Sequence, residues 1–164
     1  MLHELDVLVL ATGFKADAFL RPMEVVGRNG VKLSEVWADR PGAYLSISIP
    51  EFPNLFMLNG PNGPVGNFSL IEVAELQLAY VLQLVERVKS GACDEIAPTH
   101  DAMARFDADR RVAAKTTIWS SGCKSWYLDD DGLPTAWPWT FDRFREEMRE
   151  PRWDDYDLRR ALST

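Results

Sequence analysis

The chain has 164 residues, 46% of them hydrophobic, and a formal net charge of −7. That length supports one domain with a core of its own, and the acidic balance excludes a general nucleic-acid binder, which needs a basic face. Two cysteines and two histidines exclude a disulfide framework and a histidine-based metal centre. A basic leader is absent from the first residues, and no apolar run reaches the ~20 residues of a membrane span. The expectation is a soluble protein of a reducing, cytoplasmic compartment.

In chain order, Asp6-Val7-Leu8-Val9-Leu10-Ala11 is a near-continuous apolar run, as expected of a strand buried on both faces of a sheet. Thr12-Gly13-Phe14 ends it. Asn29-Gly30, between Val26 and Val31, is a hairpin signal. Residues 44–49 alternate with period two and read as a strand, and residues 54–58 read as the next one.

Residues 59–69 hold three glycines and two prolines, a turn bent tightly and held stiff. Ser69-Leu70-Ile71-Glu72 then has the form of an N-terminal capping box. Ile71, Ala74, Leu78, Val81, Leu82, Val85 and Val88 follow at helical spacing, so a helix is expected over 69–90 with Gly91 past its end. Strand, glycine-rich turn and helix N-terminus form a natural place for an anionic or electron-rich ligand, since unpaired amides and a partial positive charge meet there.

Residues 94–97 are expected to be a short strand. Thr99 has the form of an N-cap for a second helix, and residues 117–119 read as a strand. Asp129-Asp130-Asp131-Gly132 lacks the alternate spacing of a calcium loop and is read as a turn. Thr140 caps a third helix carrying Phe141, Phe144 and Met148 on one face, stopped by Pro151.

Self-contained catalytic sets fail one by one. Cys123 lies beside Lys124, a cation able to lower its pKa, but neither His3 nor His100 can be placed near it as a base, and a buried structural cysteine is the favoured reading. There is no G-x-S-x-G elbow, no P-loop and no G-x-G-x-x-G dinucleotide fingerprint. The carboxylate pairs Glu72 with Glu75 and Glu146 with Glu147 lie where a solvated helix face accounts for them.

The ordered series of motifs carries more. Asp6 to Phe14 fits D-x-x-x-x-A-T-G-[FY]. It is followed by Ala43-Tyr44-Leu45, Phe52-Pro53-Asn54-Leu55-Phe56, Gly60-Pro61-Asn62, Glu75-x-Gln77 and Trp119-x-x-Gly122-Cys123-x-Ser125-Trp126-Tyr127. From about Leu5 to Leu158 this series resembles the C-terminal third of class B flavin monooxygenases of the Baeyer–Villiger type, which use FAD and NADPH to insert oxygen next to a ketone.

The resemblance implies a mixed α/β fold with α+β character. A partial FAD-domain sheet would pack on the long helix, with further C-terminal helices and aromatic loops. Residues 1–92 would be the end of the FAD-binding domain and 93–164 a C-terminal extension of helices and loops. The family's two fingerprints are missing from this chain, so it is expected to be a truncated or separately encoded piece. Its partners would be the N-terminal flavin and NADPH domains, or a chain supplying them, and a small hydrophobic ketone. Neither FAD nor NADPH is expected to bind tightly to it alone.

By the same resemblance, Thr12, Gly13 and Phe14 would pass close to the FAD ribityl–pyrophosphate region. Gly60, Pro61 and Asn62 would line the isoalloxazine edge, and the helix N-terminus after Asn67 would face the ring where negative charge gathers on reduction. Val65, Phe68, Trp126 and Tyr127 are candidates for the substrate pocket and its lid. Two alternatives stand beside this: a non-catalytic ligand- or partner-binding domain derived from the fold, and an N- or S-oxygenating flavin monooxygenase.

Overall fold

The computed structural model describes residues 2–160 apart from 14, 16, 17, 67, 123, 124 and 126. Its organising element is the helix α2, Leu70–Lys89, preceded by a one-turn helix α1, Leu33–Val36. After α2 come the strand β1, Glu95–Pro98, the helix α3, His100–Ala114, the short helix α4, Phe141–Glu147, and the strand β2, Tyr156–Arg159. β1 and β2 form a two-stranded antiparallel sheet in which Ile96 lies opposite Leu158. The fold is thus mixed α/β, a small antiparallel sheet with several helices around it.

The helices start where local chemistry starts them. The side chains of Ser69, Thr99 and Thr140 accept hydrogen bonds from the backbone N–H groups of Glu72, Ala102 and Arg143, each satisfying one orphan donor of a first turn. The box expected at α2 is closed on one side only. Ser69 caps, while the Glu72 carboxylate accepts from Arg145 at 2.5 Å and ties α2 to α4.

α2 buries Val73, Gln77, Tyr80, Val81 and Leu84, a stripe at helical spacing. Against it pack Phe106 of α3, Phe144 of α4, Trp137, Ile96 and Tyr156, so one core draws on residues from 44 to 156. A second cluster gathers Leu33, Trp37, Ile49, Phe52 and Met57 under the first sixty residues. Arg28 joins this part to the sheet through Glu95 at 2.8 Å and Asp157 at 2.9 Å, one acid on each strand.

Several expected strands are not strands. Residues 6–11 are exposed along their whole length and pair with no strand among the described residues. A strand buried on both faces needs neighbours on both edges, and the described residues supply none. Residues 44–49 are fully buried but fold as turns, with one bridge between Tyr44 and Ser48. Leu45 and Ser46 sit at φ +52 and +65, outside the extended region a strand requires.

Residues 54–58 likewise leave the ladder at once, because Asn54 has φ +58. Its side chain instead accepts from the Ile96 N–H at 3.1 Å and donates to the Asp94 carbonyl at 3.0 Å. The Asn29–Gly30 hairpin survives in reduced form, as a left-handed turn closed by one bridge between Val26 and Lys32. The stretch expected to be a strand at 117–119 contains instead a single 3-10 turn, Ile118–Ser120.

Candidate functional site

The turn between residue 58 and α2 has two sides. Its first half faces inward: Gly60, Pro61, Asn62, Gly63 and Pro64 are all buried. A Cβ on Gly60 would stand 2.5 Å from the Ser46 carbonyl oxygen, and one on Gly63 would stand 2.5 Å from Ser46 Oγ. The hydroxyl of Ser46 donates to the Gly60 carbonyl at 2.5 Å. Glycine is required at these two positions by contact within the chain itself.

Asn62, at φ +68, accepts from the Ala43 N–H at 3.2 Å and donates to the Thr135 carbonyl at 2.9 Å. The Gly63 carbonyl accepts from the Trp137 backbone N–H at 3.0 Å. The turn is therefore clamped between the buried 43–49 segment and the aromatic loop before α4.

Its second half faces outward. Val65 is half-buried and Gly66 is exposed at φ +82 with open space where a side chain would go. Phe68 stacks on Phe141 with ring centroids 5.0 Å apart, which fixes the chain as it enters α2. Asn59 is exposed at φ +52, and its side chain donates to the Leu70 carbonyl at 3.2 Å.

Gln77 is the positioning residue that residue-by-residue reading passes over. It is 0% exposed on the core stripe of α2, and its Oε1 accepts from the Asn59 N–H at 2.7 Å. It pegs the start of the turn to the second turn of the helix. A glutamine among Val73, Tyr80, Val81 and Leu84 is the visible signal, since a buried amide is kept only where it is hydrogen-bonded. Its Nε2 is buried without an acceptor among the described residues.

Outside this peg lies a shallow apolar groove of about 340 Å³, lined by Leu58, Asn59, Leu70, Ile71, Ala74 and Leu78 among others. Leu58, Leu70 and Ile71 are 47%, 50% and 75% exposed, a lipophilic surface at the positive end of a 20-residue helix.

The remaining candidates are not gathered at this groove. Thr12 and Gly13 are exposed, and at Gly13, with φ +79, nothing lies within 4 Å of where a Cβ would stand. Tyr127 meets Trp119 edge to face at 5.2 Å. Phe14, Asn67, Trp126 and Cys123 lie outside the described residues. Among the described residues no cluster of metal ligands occurs, and no helix is long and apolar enough to cross a membrane.

No family model matches the chain. Among solved structures, cyclohexanone monooxygenase from Rhodococcus sp. Phi1 bound to NADP+ matches with a TM-score of 0.81 at 30% identity, over 98% of this chain and 32% of that one. The closed form of a cyclohexanone monooxygenase matches with a TM-score of 0.82 at 29% identity, again over 98% and 32%. Over most of its length the chain is strongly similar to about a third of class B flavin monooxygenases of the Baeyer–Villiger type.

The curated relatives agree. An uncharacterized monooxygenase of Mycobacterium tuberculosis strain H37Rv is 44% identical over 160 residues, 98% of this chain and 32% of that protein. The FAD-binding monooxygenase ktnD of Aspergillus niger is 35% identical over 163 residues, 96% of this chain and 27% of that protein. The chain spans about a third of the length of the curated relatives it matches.

The residues present fit one wall of a flavin site. A flat apolar ring with an electron-rich edge needs an apolar face and hydrogen-bond donors at that edge. Leu58, Leu70 and Ile71 offer the face, and the first-turn amides of Leu70 and Ile71, left over once Ser69 takes those of Glu72 and Val73, offer the donors.

Proposed function

We propose that this chain supplies one wall of the flavin site in an FAD- and NADPH-dependent monooxygenase of the Baeyer–Villiger type, acting on a small hydrophobic ketone. The observation that carries this reading is the co-linear match to cyclohexanone monooxygenase over 98% of the chain. Bound FAD, reduced by NADPH, supplies the oxygen-transfer chemistry.

The chain's own residues bind, orient and exclude water. The positive end of α2 favours negative charge on the ring edge with no ionisable side chain, so its effect is independent of pH near neutrality. Leu58, Leu70 and Ile71 keep water from the face they cover. The buried clamp of Ser46, Gly60, Asn62 and Gln77 holds the turn so that these groups need no reorganisation when charge develops. Thr12, Gly13 and Phe14 would run beside the ribityl–pyrophosphate region, and Asn67 beside the ring. Val65, Phe68, Trp126 and Tyr127 would border the ketone pocket.

Because these 164 residues hold no G-x-G-x-x-G, the chain by itself is expected to bind neither FAD nor NADPH tightly and to turn over no ketone. The decisive experiment grafts residues 5–158 in place of the matching third of the Rhodococcus enzyme. The chimera is expected to retain flavin absorbance and to consume NADPH in response to a ketone. A folded chimera that binds FAD yet responds only to amines or sulfides would replace the Baeyer–Villiger reading with an N- or S-oxygenating one.

A second reading, a non-catalytic module covered by another chain, is favoured by the exposure of Val7, Leu8, Val9 and Leu10, each at least 70% accessible. A folded chimera that binds no flavin would support it.

A further inference from the structure

A second concavity, of about 170 Å³, shares no lining residue with the groove at α2. It opens between α3, α4 and the segment leading into β2, and its walls are aromatic. Trp137 and Trp139 meet edge to face at 4.6 Å, and Phe106 tilts against both, at 6.1 and 6.2 Å. Trp137 and Phe106 are buried, so this is a fixed surface and not a set of loose side chains. The volume equals that of roughly five or six water molecules, which is room for one ring and a small substituent.

The rim is ionic and its hydrogen-bonding capacity is lopsided. Two of its three acids are covered. Asp155, with 11% of its side chain exposed, accepts from the Tyr44 hydroxyl and from Arg105 Nη2, each at 2.5 Å. Burial and this bond push the Tyr44 phenol far above its ordinary range, so it remains a committed donor. Glu147, 13% exposed, accepts from Arg152 Nη2 at 2.5 Å and pairs with Arg143 at 3.7 Å. Asp109, the third acid of the lining, is exposed to solvent on α3.

The donors, by contrast, are largely unspent. A guanidinium carries five N–H groups. Arg105 and Arg152 each commit one to an acid, and their side chains are 62% and 65% exposed at the mouth. Arg143 lies over the Trp139 ring with Cζ 4.1 Å from its centroid, so its charge is held against the aromatic wall. Three arginines balance three acids here, so the pocket exerts no bulk attraction for either sign. What distinguishes a ligand is the pairing of exposed guanidinium groups, Arg105 and Arg152, with the buried aromatic surface of Phe106 and Trp137 in one concavity.

We propose that this cavity binds a small planar organic anion, a single ring bearing one carboxylate, with its ring against Trp137, Trp139 and Phe106 and its carboxylate on Arg105 and Arg152. Fork-shaped guanidinium groups suit a carboxylate because both partners are planar and bidentate.

Benzoate is the probe. Titrated into the full chain, it is expected to change tryptophan fluorescence saturably, while benzamide and benzylamine bind at least about tenfold more weakly. Arg152→Gln removes one exposed rim cation and is expected to weaken benzoate about tenfold with an unchanged melting curve. Arg149→Gln, an exposed arginine outside the lining, should leave binding unchanged. Absence of saturable benzoate binding, preference for benzylamine, or full affinity in folded Arg152→Gln would each overturn the proposal. If Arg152→Gln fails to fold, the ranking of the three probes on the unmodified chain decides.

Discussion

Leu84 of α2 has 0% of its surface exposed, whereas Val9, in a run just as apolar, is 79% exposed. α2 satisfies its own backbone, so it needs only one packed face, and α3, α4 and the loop at Trp137 supply it. Residues 6–11 read as a strand, and a strand satisfies its backbone only through neighbours, which the described residues do not provide. The contrast separates a packed core from an exposed apolar run. It also explains why the turn before α2 is rigid on its inner side and open on its outer side.

Four experiments test that contrast. Leu84→Ala should cost about 2–5 kcal/mol in urea unfolding, because the cavity lies in the packed side of α2. A loss under about 1 kcal/mol would mean that the core at α2 is loosely packed.

Alkaline pH attacks the same core. Burial pushes the Tyr156 phenol up to about 12 from an ordinary 10.0, and its hydroxyl donates to that of Tyr80 at 3.1 Å. A raised folded pKa means that the native state keeps a proton which the unfolded chain gives up. The stability from Tyr156 is therefore complete below pH 10 and is lost as pH rises from about 10 to about 12, on the order of 3 kcal/mol. Denaturant melts across that window should fall less steeply for Tyr156→Phe than for the unmodified chain.

Gly60→Ala should cost about 1–3 kcal/mol, since its Cβ meets the Ser46 carbonyl. Gly13→Ala, in the unpaired segment, has open space for its Cβ but a left-handed backbone at φ +79, and should cost only about 1 kcal/mol, less than Gly60→Ala. Equal effects at the two glycines would show that the turn is less tightly clamped than its contacts indicate. The smallest effect belongs to Val9→Asp, expected within about 0.5 kcal/mol of the parent in unfolding experiments. It should, however, reduce self-association in light scattering, because it interrupts an exposed apolar run.

The helices and their caps are legible in the sequence because their signals are local. Ser69, Thr99 and Thr140 each act within three residues, but the face of α2 is not legible in the same way: Ile71, Leu78 and Leu82, expected on the apolar side, are exposed, and the helix buries Val73, Val81 and Leu84. The strands expected at 44–49 and 54–58 do not form, and composition gives no warning, because a buried turn and a buried strand are equally apolar. What decides between them is φ at Leu45, Ser46 and Asn54, set by contacts with distant residues such as Ile96.

The glycine-rich turn is visible in the sequence, and so is the helix N-terminus it leads to. Its two-sidedness is not. Gly60 and Asn62 are expected to face a ligand through their motif, yet Ser46 and Thr135 hold them inside the fold, and those partners lie 14 and 73 residues away along the chain.

The long helix, its cap, the stiff turn before it and the resemblance carried by the ordered motifs could all be read from the residues alone. All of these rest on neighbours a few residues apart or on the order of motifs along the chain. Which half of the turn is buried, how Gln77 pegs it, and that Trp137, Trp139 and three arginines share one cavity emerge from the folded chain. Those outcomes depend on long-range packing, where a side chain's role is set by what arrives beside it and not by what precedes it.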